Sequence, residues 1–458
     1  MAGIPITVIP GDGIGVDVTS SACAIMQAAK APVTWDMHEA GEASFKKGIA
    51  TGVPESTLAA IRRSKAVLKG PLTTPIGVGE RSANVFLRKT FGLFANIRPV
   101  KQYPGIPSVY SNQPIDLVVI RENIEDLYAG IEYYHQPGIA QSIKLISQYG
   151  CDYINAFAFA YACATGRNSL HCATKANILK ATEGLMKRSF EHQSAQYPHI
   201  VPKHMIIDNC AHQLVMNPSQ FEMIVTTNMN GDIISDLTSG LVGGLGIAPS
   251  ANIGDGVALF EAVHGAAPDI AGCNRANPTA MILSAVMMLH YLGCHKEADA
   301  IEHALVTTFS QGQFTQDINP QSGLSTTAFT QAIIANLGKT LPGFKPSRFE
   351  PVSVSVTPPP ITTGVCKGVD VVIISDQPWS ALQALLEPIG RDAGFGALQL
   401  SNRGQAIASN HAPLVLSQWY GRFTVPGGSV TNEQILALLA GLSPVVDWVD
   451  ATKYMDFS

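Results

Sequence analysis

Asn228-Met-Asn-Gly-Asp232-Ile-Ile-Ser-Asp236 is the stretch around which the rest of the chain is organised. The apolar run before it, residues 221–227, reads as a buried strand. The small-residue run after it, 237–249, reads as tightly packed. Between them an amphipathic helix is expected to open just after Gly231, so that Asp232 and Asp236, four residues apart, share one face. Taken alone, such a pair is a helix cap plus a solvated carboxylate favoured by the dipole. It also offers two hard oxygen donors that suit Mg²⁺ or Mn²⁺. A strand-to-helix junction is where open α/β sheets place ligands, and the expected fold class is therefore α/β.

The bulk properties fit an enzyme with well-packed cores. A chain of 458 residues accommodates two or three domains, and a hydrophobic fraction of 46% with 14% charged residues argues against disorder. The net charge of −5 gives no support to nucleic-acid binding. The eight cysteines are scattered without Cys-x-x-Cys spacing, which points away from a zinc site or a disulfide framework and toward a reducing, cytoplasmic setting. No apolar run reaches the length of a membrane span.

The first strand, 4–9, ends in Gly11-Asp-Gly-Ile-Gly15, which fails as a dinucleotide fingerprint because positions 16 and 18 are valine. Likewise Gly338-Lys-Thr340 lacks the P-loop glycine at 333. Further strands are expected at 33–39 and 65–69, with a helix near 54–64 between them. The loop Lys69-Gly-Pro-Leu-Thr-Thr74, with Gly77 and Gly79 beyond it, then enters a helix carrying Ser82, Asn84 and Arg88. Arg98 and Arg121 are expected at the ends of apolar strands, where a charge is costly unless it meets an anion. Each alone reads as a structural ion pair. Three arginines beside an acidic metal site point instead to a substrate carrying several carboxylates.

Residues 130–147 alternate around Pro137-Gly138 and read as a hairpin suited to clasping a partner subunit. A strand at 169–174 is expected to deliver Lys175 and Asn177 into a helix, and a strand at 206–208 to end on Asp208. Asp208 would be a third carboxylate for the cation. Finally, His264-Gly-Ala-Ala-Pro-Asp269-Ile270 is a loop that can wrap a cofactor's adenosine, with Asp269 accepting from ribose hydroxyls and repelling a 2′-phosphate.

These motifs, in order from about residue 4 to 338, resemble the β-decarboxylating dehydrogenases of the isocitrate/isopropylmalate family, and most closely its isocitrate-specific, long NAD-dependent branch. The resemblance implies a two-domain α/β fold that is not a Rossmann fold. It implies NAD, Mg²⁺ or Mn²⁺, and oxidative decarboxylation of isocitrate in a homodimer with shared active sites. Position by position, Thr74, Ser82, Asn84, Arg88, Arg98, Arg121 and Asn177 would bind substrate, and Tyr128 with the neighbour's Lys175 would form the acid–base pair. Asp232 and Asp236 with the neighbour's Asp208 would hold the metal. Thr73, Glu261, His264, Gly265, Ala267, Asp269, Ile270 and Asn277 would face the cofactor. A Lys-Tyr pair at 269 and 270 goes with NADP in this family, so Asp-Ile points to NAD. Ser82 and Asn84 suit a carboxylate better than the isobutyl group of isopropylmalate. The alternatives are a homoisocitrate or isopropylmalate enzyme, and a non-catalytic regulatory subunit.

The expected domains are a cofactor-binding region at 1–95 and 245–340, and a smaller one at 96–244 bearing the clasp. Residues 341–365, with six prolines, read as a semi-rigid linker. Residues 366–458 follow a β-α-β-β-α-β order that points to a ferredoxin-like α+β module. That module would add an oligomer contact or bind an effector.

Overall fold

The computed structural model describes residues 3–74, 82–110, 115–407 and 416–457. Gly77 and Gly79 of the shaped loop lie outside the described residues.

The first strands are short and apolar: β1 (Ile4–Ile9), β2 (Val33–Met37), β3 (Ala66–Lys69), β4 (Ala95–Lys101) and β5 (Asp116–Glu122). A separate two-stranded hairpin follows, β6 (Glu132–Gln136) and β7 (Ile139–Ser142). Then come β8 (Ser169–Thr174), β9 (Val201–Ile206), β10 (Met223–Thr226), β11 (Pro249–Ile253) and β12 (Ala258–Ala262). Among the described residues, ten of these form one mixed sheet in the order β2-β1-β3-β12-β11-β4-β5-β10-β8-β9. The two wings are parallel, and the antiparallel strands β11, β4 and β5 join them at the centre. β8 and β10 are buried along their whole length, as expected of strands covered on both faces. The regions 1–95 with 245–340 and 96–244 share this sheet, because β11 of the one pairs with β4 of the other. Apart from the hairpin, the first 358 residues therefore form one compact unit.

Several local expectations are corrected. The acidic helix spans Asn228–Val242 and begins before Gly231, because β10 ends at Thr226 and Thr227 takes the N-cap position. Arg98 lies inside β4 rather than at its end. Lys175, just past β8, and Asn177, in a turn, lie ahead of the Thr182–Ser194 helix, and Asp208 lies in the first turn of the Ile207–Met216 helix rather than on a strand.

The second unit is Glu132–Gln141 together with residues 359–458. The hairpin therefore groups with the C-terminal module and not with the 96–244 region. Gln136 Nε2 donates to Ser417 Oγ at 3.1 Å, and Gln141 Nε2 donates to the Tyr420 hydroxyl. The module contains β13 (Val365–Ile374), β14 (Ala397–Asn402), β15 (Gln405–Ala406), β16 (Gln418–Thr424) and β17 (Asp447–Asp456). They form an antiparallel sheet in the order β15-β14-β16-β13-β17, which is the ferredoxin-like arrangement with one extra edge strand. Its core, including Val371, Leu386, Trp419, Phe423 and Leu438, is its own.

The proline-rich stretch has neither helix nor strand until β13 begins at Val365, yet its first half is not a free tether. Phe349 is buried, Val352, Val354 and Val356 pack on the main core, and Ser347 donates from Oγ to the buried Glu302 at 2.7 Å. All eight cysteines are free, and among the described residues no helix is long and apolar enough to cross a membrane.

Candidate active site

Alternation along β4 and β5 decides which side chains meet. Asn96 stands opposite Arg121, and Arg98 stands opposite Val119, so Asn96, Arg98 and Arg121 share one face of the sheet. The Asn228–Val242 helix packs on that face through Gly231. A Cβ at 231 would stand 2.6 Å from Arg121 Cγ, which is why a glycine occupies the helix interior.

Arg121 is fully buried and donates to Asn228 Oδ1 from Nη2 at 2.8 Å, and to Asp232 from Nη1. Arg98 donates to Asn96 Oδ1 at 2.7 Å and to Ser235 Oγ, and reaches Asp232 and Asp236 at 3.4 Å each. The Tyr128 hydroxyl donates to Asp232 Oδ2 at 2.6 Å while its ring lies 4.9 Å from the Arg121 guanidinium. Behind them Glu261 takes Lys69 at 2.6 Å and Asn252 at 2.9 Å, with Arg88 at 3.6 Å. Glu261, expected to face a cofactor, is thus committed to this buried network.

Desolvation raises Glu261, but Lys69 and Arg88 outweigh it and hold the carboxyl at about 2, against an ordinary 4.5. A depressed acid stabilises the fold above its unfolded value and loses that stability as pH falls through the folded one. We therefore expect about 3 kcal/mol of stability to disappear between about pH 4.5 and 2. Denaturant titrations across that window would show it, and Glu261→Gln would flatten the acid limb while lowering stability at pH 7. An unchanged acid limb in the variant would contradict the assignment.

The arginine cluster calls for anions. Burial, with Arg88 and Arg98 adding to it, pushes the Arg121 guanidinium down to about 9, and it remains protonated at neutral pH. Arg88 Nε, Asn84 Oδ1 and His264 Nε2 are buried with no partner among the described residues, and all three residues line one cavity of about 120 Å³. Unsatisfied polar atoms of this kind mark a place for a polar ligand. Thr74 Oγ1 donates to Ser82 Oγ at 3.1 Å at the mouth of the same loop. A larger cavity of about 450 Å³ lies at the opposite end of the β4–β5 pair, behind Lys101 and Asp116, and contains none of these residues except the strand they share.

The acids fit a hard cation. Burial raises Asp236 and Asp232 adds to that, whereas for Asp232 the effect of burial is outweighed by Arg121 and Arg98, which hold it low. Both side chains keep an open side, 36% exposed for Asp232 and 54% for Asp236. Within one chain, however, no third carboxylate joins them. Among the described residues, no three His, Cys, Asp or Glu side chains converge as a metal-holding group. Asp208 instead pairs with Lys175 at 3.1 Å, and the hydrogen bond from that lysine lowers its pKa. The chain thus carries two candidate half-sites: the arginines with Tyr128, Asp232 and Asp236, and the Lys175–Asp208 pair, with Asn177 two residues beyond the lysine.

The expected cofactor residues flank the first half-site. Gly13 lies where a Cβ would stand 2.0 Å from Ala266 O, and Ile14 N donates to that oxygen at 2.8 Å, so the Gly11–Gly15 turn fastens the 264–268 loop. Asp12 accepts from Thr73 N at 2.7 Å and fastens the 70–74 loop. Burial lowers the pKa of His264 and keeps it neutral at pH 7. Asp269 and Ile270 lie in the short turn Pro268–Ile270, with Asp269 exposed, and Asn277 bonds Asp317.

The family model for isocitrate/isopropylmalate dehydrogenases matches residues 5–333. The chain belongs to that family. Among isocitrate/isopropylmalate dehydrogenase family members, an isocitrate dehydrogenase [NADP] of Thermus thermophilus is 48% identical across 99% of this chain and 93% of its own. A crystal structure of a Thermus thermophilus protein superposes with a TM-score of 0.94 at 48% identity, covering 99% of this chain and 94% of that one. The isocitrate dehydrogenase of Methylococcus capsulatus has a TM-score of 0.71 at 42% identity, covering 72% of this chain and 98% of that one. Family membership accounts for the order of the motifs, but several residues that build the site were not assigned from sequence. Asn228 and Ser235 orient the arginines, and Lys69 and Asn252 hold Glu261. A lysine closing an apolar strand, as Lys69 does, is a signal that could have found one of them.

Proposed function

We propose that this protein is an NAD-dependent isocitrate dehydrogenase that converts isocitrate to 2-oxoglutarate and CO₂. The observation that carries this reading is the convergence of Arg98 and Arg121 on Asp232, with Arg88 beside them on Glu261 and buried polar atoms that lack partners among the described residues. Three neighbouring guanidiniums, of which those of Arg88 and Arg98 line one small cavity, match a tricarboxylate. Ser82 and Asn84 offer hydrogen bonds to the γ-carboxylate, which an isopropylmalate enzyme would not need.

Asp232 and Asp236, with Asp208 of the partner subunit, would hold Mg²⁺ or Mn²⁺, which when bound supplies positive charge at the C2 oxygen. Bound NAD supplies the hydride acceptor. Lys175 of the partner subunit takes the proton of the C2 hydroxyl, and Tyr128, kept protonated by burial and by Asp232, returns a proton to C3 after CO₂ leaves. A homodimer supplies the second half-site, and exposed Ile178, Met216 and Ile233 give the surface near Lys175, Asp208 and Asp232 an apolar character that a partner would cover. The C-terminal module could extend that assembly.

NADP is the second reading, favoured by similarity to the Thermus enzyme along nearly the whole chain. Asp269 argues against it, since an exposed carboxylate there opposes a 2′-phosphate. The test is NADH and NADPH formation from isocitrate, homoisocitrate and isopropylmalate, with Mg²⁺ or Mn²⁺ and with a chelator. We expect metal-dependent NADH formation from isocitrate, abolished by chelation. Preference for isopropylmalate would sink the Ser82 and Asn84 argument, and no turnover of any acid would favour a regulatory subunit.

A further inference from the structure

Two carboxylates with no part in the proposed chemistry are fully buried between the half-sites. Asp126 and Glu183 are each 0% exposed, and the Nζ of Lys144 lies between them, at 2.5 Å from Asp126 Oδ1 and 2.9 Å from Glu183 Oε1. Burying two acids against one lysine is costly unless the remaining lone pairs are satisfied. Here they are, and their partners are the backbone and side chains that carry the reacting groups.

Asp126 accepts from Leu127 N at 2.8 Å and from Met229 N at 2.9 Å. The first bond shapes the turn that presents Tyr128, and the second takes one of the free N–H groups at the start of the Asn228–Val242 helix. Asp126 holds φ at +66°, a region that disfavours side chains, so its conformation is set by these bonds. Glu183 accepts from Thr227 Oγ1 at 3.1 Å and Asn230 Nδ2 at 3.4 Å, on the first turn of the same helix. Its other oxygen accepts from Lys175 N at 3.2 Å. One buried cluster therefore fixes the Tyr128 turn, the helix of Asp232 and Asp236, and the Lys175 turn.

We infer that Lys144, Asp126 and Glu183 are positioning residues that couple the two half-sites of each chain. This rests on the proposed reading, in which Tyr128 and Asp232 serve the chain's own active site and Lys175 serves the partner's. A shift of the helix when its own site closes on substrate is then passed through Glu183 to the Lys175 turn working in the other site. The cluster touches neither substrate nor cofactor, so it acts on turnover and leaves binding alone.

The test is steady-state kinetics of the full-length protein with isocitrate, cofactor and Mn²⁺. In a triple variant, Asp126→Asn, Lys144→Met and Glu183→Gln replace the charges together with neutral groups of similar shape, which avoids a stranded buried charge. We expect kcat to fall about a hundredfold while the KM for isocitrate stays within about threefold, the signature of misplaced but still occupied sites. Lys144→Arg, which keeps the charge, should recover most of kcat. A folded triple variant with near wild-type kcat, or a loss carried by KM with kcat unchanged, would overturn the inference. If the triple variant does not fold, Glu183→Gln alone decides, and near wild-type kcat in that variant overturns the inference equally. Failure of the activity reading is distinguishable, because the wild-type protein itself would then not turn over isocitrate.

Discussion

Lys175→Met and Asp232→Asn proteins, each lowered about a thousandfold when assayed alone, should recover about one quarter of wild-type activity when unfolded together and refolded as a mixture. The reasoning follows from the two half-sites. Within a chain, Lys175 pairs with Asp208, and Asp232 faces Arg98 and Arg121, with no group of three acids formed among the described residues. In a mixed dimer one site receives a sound Lys175 from one chain and a sound Asp232 from the other, while the second site carries both defects. Half of all dimers are mixed, and each has one working site. Neither protein can complement the other if each site is built from a single chain. No recovery on mixing, with dimers shown to exchange, would remove the shared site and with it the proposed roles of Lys175 and Asp208.

Asp269→Lys combined with Ile270→Tyr should move the ratio of kcat/KM for NADP over NAD upward by at least about a hundredfold, because a repulsion against the 2′-phosphate is exchanged for an attraction. Asp269 is exposed in the Pro268–Ile270 turn, and Ile270 is only partly buried at the edge of the core. The isocitrate KM and the thermal midpoint should therefore hold steady, which separates a switch of specificity from general damage. A wild-type protein that already favours NADP, or a variant whose ratio does not move, would show that 2′-phosphate recognition lies elsewhere.

What could be read from the chain divides along physical lines. Arg121, Asp232 and Asp236 were legible because each lies beside a strand end or on a helix whose local pattern announces it, whereas Tyr128 was reached only through the family resemblance. The pairing of β4 with β11 was not, since it joins Ile97 to Ala251 and no local signal specifies a partner so distant in sequence. That crossing makes one sheet of what read as two regions. The ion pair of Lys69 with Glu261 escaped for the same reason: Lys69 looks like a stray charge, and Glu261 reads as a cofactor contact, until the fold brings them within 2.6 Å. The helix start was misplaced because Gly231 reads as a breaker, whereas it is the small residue that lets Arg121 reach the helix. The hairpin was found by its turn chemistry, but its neighbours Ser417 and Tyr420 are almost three hundred residues away along the chain.

The stretch from Lys345 to Val356 changes what removing the terminal module would mean. With Phe349 buried, Ser347 bonded to Glu302 and alternate valines seated on the main core, a chain ended near residue 340 would uncover a greasy furrow and leave an acid without its hydroxyl and amide partners. The natural seam lies at Pro358 and Pro359. A shorter ancestor or descendant of this protein would have to retain that strand-like ribbon as part of its body, or else refill the furrow with side chains of its own.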